Sequence, residues 1–237
     1  MSDIPVPATT HNKVTLQDIR TSCYGENKDD PDAARMCIIS EELSTGLDFI
    51  HGFPKSVTFF GSARTPEDNP YYQQARSLAH RIVDELGYAI ITDGGPGIMQ
   101  AGNHGAHDAS GESIGLTIQL PFEQITNKYV KNEVPFHYFF TRKVSMTFSG
   151  EAYVYFPGGF GTLDELFEIL TLVQTRKIQE VPIILVGVDF WKPLDAFIRS
   201  VLLEQAHTIS PEDINLYTIT DDEEAILDII KNAPIRE

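Results

Sequence analysis

The nonapeptide PGGFGTLDE (157–165) sets three glycines, a hydroxyl and two carboxylates between an apolar run and an amphipathic stretch. A strand-to-helix turn of that composition can hold an anion. Gly158, Gly159 and Gly161 carry no Cβ, so backbone amides can close on an oxyanion and the chain can take positive φ. The helix that follows adds unpaired N–H groups and a favourable dipole. Thr162 can bond a phosphate oxygen or cap the helix, and Thr162-x-x-Glu165 also fits a plain capping box. Glu165 is expected in the first turn, ionised by the positive helix end. That state suits a base, a nucleophile or an electrostatic stabiliser, not a general acid.

DGGPGIMQAG (93–102) is a second turn of the same kind, with Gly94, Gly95 and Gly97 ahead of a helix near Ile98. It can also be a tight βα turn without a ligand. Neither loop carries the third glycine of the dinucleotide fingerprint, and neither ends in the Gly-Lys-Ser/Thr of a P-loop. Both absences weigh against an NAD-dependent oxidoreductase and an ATPase. Arg142 and Lys143 stand where a helix should begin, against the dipole, and a broken local rule of this kind points to a site. An exposed basic pair is the competing reading. Glu123 follows a strand and can accept bonds from a ribose or a base, or simply face solvent; Ser62 and Arg64 follow the first strand. His104 and His107 lie a turn apart beside Asp108, but no third metal ligand stands at a suitable spacing. Satisfied helix histidines are expected there, with no metal and no cofactor.

These residues need a scaffold that gathers them. From residue 56 the chain alternates short apolar runs with amphipathic stretches. Strands are expected at 57–60, 88–92, 114–119, 137–140, 152–156, 182–186 and 217–220, and helices at 71–86, 97–109, 142–149, 162–175, 190–205 and 222–231. Such alternation predicts βαβ units: an α/β, Rossmann-like, doubly wound parallel sheet of about seven strands with helices on both faces. Ligands bind beyond the carboxyl ends of such strands, where the glycine loops and charges collect. Residues 1–30 read as a polar, mobile arm or linker, and 31–237 as one nucleotide-binding domain. A helix over 32–51 is expected to pack outside the main fold.

The 237 residues carry 34 acidic and 18 basic side chains, a formal charge of −16. That surface repels nucleic-acid polymers and anionic membranes, while a local pocket of amides and a few cations can still hold a single nucleotide. Two cysteines, Cys23 and Cys37, suggest neither a disulfide framework nor a zinc site. No apolar run nears the ~18 residues of a membrane span, so a cytoplasmic location is expected.

Together the motifs resemble the Lonely Guy phosphoribohydrolases, long labelled "lysine decarboxylase-like". PGGFGTLDE matches their PGGxGTxxE signature, DGGPGIMQAGNHGA their second glycine motif, and FTRK (140–143) their Arg-Lys pair, 23 residues ahead of Glu165. FFGSAR resembles their first strand and turn. The likeness covers roughly residues 55–205. It implies a Rossmann-like homo-oligomer of dimers or larger. It also implies hydrolysis of nucleoside 5′-monophosphates, AMP or cytokinin ribotides, to free base and ribose 5-phosphate. By motif match Arg142 and Glu165 would be the catalytic pair. Lys143, Gly158, Gly159, Phe160, Gly161, Thr162, Asp164 and Thr171 would line the nucleotide site, with Glu123 less securely placed. Asp164 stands where many members have Glu, DGGPG where many have GGG, and the long N-terminal extension is similar to the longer bacterial subgroup. No lysine sits in an evident pyridoxal-phosphate setting. A non-catalytic carrier or sensor of a phosphorylated nucleotide or pterin is the alternative.

Overall fold

A computed structural model describes residues 15–26, 29–119 and 126–235. The chain divides into two units, Met1–Glu41 and Glu42–Glu237, and the division falls within a helix. The first unit holds α1 (Leu16–Glu26) and the start of α2 (Pro31–His51). Part of the expected polar arm is therefore helical. In α1, Ile19 and Cys23 are buried four residues apart, too few apolar positions to register as a periodic pattern. The two cysteines, from which no disulfide framework was expected, form a single Cys23–Cys37 disulfide with Cα atoms 5.6 Å apart, ordinary spacing for such a bond. The cysteine count therefore gives no support to a reducing compartment.

The second unit is a seven-stranded sheet of β1 (Ser56–Phe60), β2 (Ala89–Thr92), β3 (Ser113–Ile118), β4 (Asn132–Phe136), β5 (Ala152–Tyr155), β6 (Ile183–Leu185) and β7 (Thr218–Ile219). Its order is β4-β3-β2-β1-β5-β6-β7, and every neighbouring pair is parallel. The chain builds outward from β1 to β4, then crosses to β5 and builds the other way. The turn of direction lies between β1 and β5.

Alternate strand residues point to opposite faces, and the core splits accordingly. Val57, Phe59, Val154 and Phe156 pack with α3 (Pro70–Arg81), α4 (Ile98–Asp108) and α8 (Glu223–Lys231). Phe60, Tyr153, Tyr155 and Leu185 pack with α5 (Phe139–Thr147), α6 (Phe160–Gln174) and α7 (Val188–Phe197). Both faces are covered, as the doubly wound reading requires. Ile50 of α2 joins the second cluster. The end of α2 is thus part of the core, and not outside the fold as expected.

One strand differs from the sequence reading. The aromatic run at 137–140 is not β4; Tyr138 is the N-cap of α5 and Phe139 opens it. The strand lies just before, in Asn-Glu-Val-Pro-Phe, where Pro135 reads as a breaker. β4 is an edge strand, where a proline's missing donor costs no ladder bond. Among the described residues no helix is long and apolar enough to cross a membrane.

Candidate active site

The loops after β1, β2 and β5 meet at the turn of direction in the sheet, where open α/β sheets place their ligands. Ser62 stitches them together. Its N–H donates to the Pro157 carbonyl at 3.0 Å, and its own carbonyl accepts from Ile98 N–H at 3.0 Å. Its hydroxyl accepts from Arg64 N–H at 3.1 Å, while Arg64 itself is exposed. The close approach explains Gly97: it takes φ +69°, and a Cβ there would collide with the Ser62–Ala63 backbone. Gly94 takes φ +72°.

The DGGPG loop rests on a buried polar network. Asn127 Nδ2 donates to the carbonyls of Gly94 and Gly95 at 3.1 and 3.0 Å and to Asn103 Oδ1 at 2.9 Å. Thr92 Oγ1 donates to the same Asn103 oxygen and accepts from Gly94 N–H. Buried polar groups must be paired, so this network fixes the loop's path. Sequence reasoning passed over Thr92, Asn103 and Asn127. Isolated polar side chains give no signal until the fold brings them together.

In the PGGFGT loop, positive φ is not used at Gly158, Gly159 or Gly161, contrary to expectation. Gly158 is required for packing, because a Cβ there would strike the Thr162 side chain; Gly159 and Gly161 leave open space in that direction. Gly159 is the N-cap of α6 and makes no side-chain cap, so the capping-box reading fails. The first intrahelical bond runs from Leu163 N–H to the Gly159 carbonyl. The amides of Phe160, Gly161 and Thr162 therefore project from the helix end without intrahelical acceptors.

Arg142 and Glu165 face each other behind this loop. Arg142 Nη2 donates to Glu165 Oε1 at 3.0 Å, and Nη1 donates to Asp93 Oδ1. Both Arg142 and Glu165 are buried. Arg142 Nε is buried without an acceptor among the described residues. Burial opposes the guanidinium charge, but Asp93 and Glu165 outweigh it and hold the Arg142 pKa above its ordinary value. Glu165 departs from expectation. Burial first, and then the neighbouring Asp93, push its pKa up to about 8, against the opposing pull of Arg142 and Lys143. Because α6 begins at Phe160, Glu165 lies in the second turn, where the dipole has faded. Glu165 therefore holds a proton more readily than the freely ionised carboxylate that was expected. Tyr155 hydroxyl donates to the Glu165 carbonyl at 3.2 Å and anchors that turn of α6 to the sheet.

Lys143 pairs with Asp164 at 2.8 Å and Glu168 at 3.2 Å, across from α5 to α6. Those partners outweigh partial burial and raise its pKa. The structure thus gathers Ser62, Gly94, Gly95, Gly97, Arg142, Lys143, Gly158, Thr162, Asp164 and Glu165 at one end of the sheet. Phe160 is almost fully exposed at the loop tip. Thr171 lies apart, exposed, with its hydroxyl donating to the Phe167 carbonyl. Glu123 lies outside the described residues. Asp93 opens the DGGPG motif, but nothing in the sequence says that it meets Arg142. His104 stacks on Tyr129 at 3.8 Å, and its Nδ1 lies 3.3 Å from the Tyr72 hydroxyl.

A family model described as "Possible lysine decarboxylase" matches residues 99–230. A cytokinin riboside 5′-monophosphate phosphoribohydrolase of Arabidopsis thaliana is 28% identical over 154 residues, 64% of this chain and 71% of that one. The rice enzyme of the same name (Oryza sativa subsp. japonica) is 30% identical over 155 residues; the match spans 64% of this chain and 63% of the rice protein's length. A bacterial one from Rhodococcoides fascians is 27% identical over 154 residues, 64% of this chain and 77% of that one. Among solved structures, the molybdenum cofactor binding protein of Rippkaea orientalis superposes with TM-score 0.53 at 20% identity, covering 74% of this chain and 93% of that one. The molybdenum cofactor carrier protein of Chlamydomonas reinhardtii gives 0.53 at 21%, covering 76% and 97%. At those identities the structures share the fold.

Proposed function

The chain belongs to the Lonely Guy family, and on that footing we propose that it hydrolyses the N-glycosidic bond of nucleoside 5′-monophosphates, with AMP or cytokinin ribotides as substrates. The observation that carries this reading is the buried Arg142–Glu165 pair set directly behind the PGGFGT loop. The amides of residues 160–162 and the Thr162 hydroxyl hold the 5′-phosphate. Glu165, proton-bearing at neutral pH, gives its proton to the departing base as the base–ribose bond breaks. The carboxylate left behind pairs with Arg142 and faces the oxocarbenium-like sugar. It then takes a proton from the attacking water as the new C–O bond forms, which restores the starting state. Free base and ribose 5-phosphate leave. Arg142 orients Glu165 and stabilises its ionised form. Lys143, paired with Asp164 and Glu168, is held as a cation beside the pair, its pKa raised by those carboxylates against partial burial.

We place a second copy of the chain against α5 and the outer side of α6. Phe139 and Phe140 on α5, Phe148 just past its end, and Phe160 and Phe167 on α6 are all exposed. Exposed aromatic side chains on two helices joined by the Lys143 bridges are the kind of surface that a partner covers. In α6 Leu166, Ile169, Leu170 and Val173 are buried while Phe167 is exposed, so the apolar circumference of this helix extends beyond what its own sheet covers. Incubation with a panel of nucleoside monophosphates, with chromatography for free base, tests the reaction. Tight binding of AMP with no release of base would favour a carrier or sensor.

A further inference from the structure

Glu42 lies on α2, ahead of the first strand, and is 1% exposed. Its carboxylate is spent on the start of α5. It accepts from the backbone N–H groups of His137 at 2.7 Å and Tyr138 at 3.3 Å, and from the Thr141 hydroxyl at 2.6 Å. α5 has no cap of its own, since Tyr138 occupies the N-cap without a side-chain bond. The first amides of a helix need acceptors, and a carboxylate there also complements the dipole. One turn along α2, Gly46 brings the two helices into close contact. A Cβ at Gly46 would run into Ser145 Oγ and stand 2.8 Å from the Phe136 ring. Glu42 and Gly46 are four residues apart and share one face of α2. Arg142 directly follows Thr141, and its own N–H donates to the Tyr138 carbonyl at 3.3 Å.

We propose that Glu42 is the positioning residue for Arg142, a buried carboxylate from the helix before the sheet that caps α5 and thereby sets the guanidinium against Glu165. The assignment rests on the reading of Arg142 as part of the catalytic pair. Glu42 touches neither substrate nor reacting atoms in this role. Replacement by alanine leaves the His137 and Tyr138 amides without their acceptor, while the Thr141 hydroxyl keeps only the Tyr138 carbonyl at 2.8 Å. Glutamine keeps the shape and one accepting oxygen, so it should recover part of the function.

The test compares Glu42→Ala and Glu42→Gln with Ile230→Ala, a core truncation on the opposite face of the sheet. Amide hydrogen exchange across 138–147, kcat and KM for AMP, and melting temperature are measured on each full-length protein. Loss of a helix cap corresponds to roughly tenfold in the local opening equilibrium. Exchange in α5 should therefore quicken about tenfold in Glu42→Ala, and kcat should fall by at least that factor while inhibition by ribose 5-phosphate is unchanged. Glu42→Gln should lie between that and wild type; it keeps the test open if the alanine variant does not fold. Ile230→Ala should lower the melting temperature and leave kcat within about twofold. Unchanged α5 exchange, or a kcat loss no greater than in Ile230→Ala at equal loss of melting temperature, overturns the proposal. If the wild type releases no base, the reaction fails on its own account. Glu42 is then judged by α5 exchange and by AMP affinity, and unchanged values in Glu42→Ala overturn it.

Discussion

Asp93→Asn should move the basic limb of the pH profile towards acid. In the structure Asp93 and Glu165 occupy the two ends of one guanidinium. Carboxylates so placed lie about 6 Å apart, and at an effective dielectric near 20 their repulsion is roughly 3 kcal/mol, or about two pKa units. That repulsion, added to burial, holds the Glu165 proton up to about pH 8. Removing the Asp93 charge lowers the Glu165 pKa on two counts. The repulsion goes, and Arg142 no longer divides its charge between two partners. The proton that the leaving base needs is then lost at lower pH. The assay is kcat/KM for AMP between pH 5 and 9, which reports the free enzyme's ionisations. The second ionisation of the substrate's own phosphate, near pH 6, lies well clear of the limb in question. Wild type should decline above about pH 8; Asp93→Asn should decline one to two units earlier and be slowed most at neutral and alkaline pH. A limb that stays near 8 in the variant refutes the coupling. A wild-type profile flat between pH 7 and 9 refutes Glu165 as the acid.

Three further outcomes are expected. AMP should be cleaved at least ~10²-fold more efficiently than adenosine, because the PGGFGT amides have nothing to hold in the nucleoside; comparable release of free base from both would remove the phosphate cradle. Glu165→Gln keeps the shape but has no proton to give, so turnover should fall by ~10²-fold or more with AMP affinity retained, and near wild-type turnover would reduce Glu165 to a structural role. In sedimentation at micromolar concentration the chain should run at twice its 26.5 kDa mass or more, and Phe167→Asp should shift it towards monomer with loss of activity; a fully active wild-type monomer would refute both the assembly and its link to the site.

The glycine loops were legible because their chemistry is local. Gly97 must be glycine for a backbone approach that any strand-to-helix turn of this tightness imposes, and the apolar runs around it declare the strands. The doubly wound sheet follows from the same alternation. What escaped was set by distance in the chain. Asp93 and Arg142 are 49 residues apart, and Glu42 and Thr141 are 99 apart. Side chains joined over such spans leave no periodicity to read. The raised proton affinity of Glu165 is illegible in the sequence for a related reason. Helix position suggested ionisation, but α6 starts two residues earlier than its apolar pattern indicates, and burial beside a second carboxylate is a tertiary effect that outweighs a fading dipole.

The charge inventory of the site determines how an anionic substrate can be held there. Arg142 is already shared by Asp93 and Glu165, and Lys143 by Asp164 and Glu168. Four acidic side chains therefore surround two cations, in a chain whose formal charge is −16. A 5′-phosphate gains little from cations so committed. In the proposed reaction its affinity must come from the projecting amides of α6 and the dipole behind them. The proton on Glu165 removes one of the negative charges that would otherwise oppose binding. Linkage makes this reciprocal: if protonation of Glu165 favours the phosphate, a bound phosphate must raise the proton affinity of Glu165 by the same factor. Substrate binding would then secure the proton that the next step transfers. In the proposed reaction the acidic surroundings, unfavourable for recognising an anion, would keep the acid loaded until the base departs.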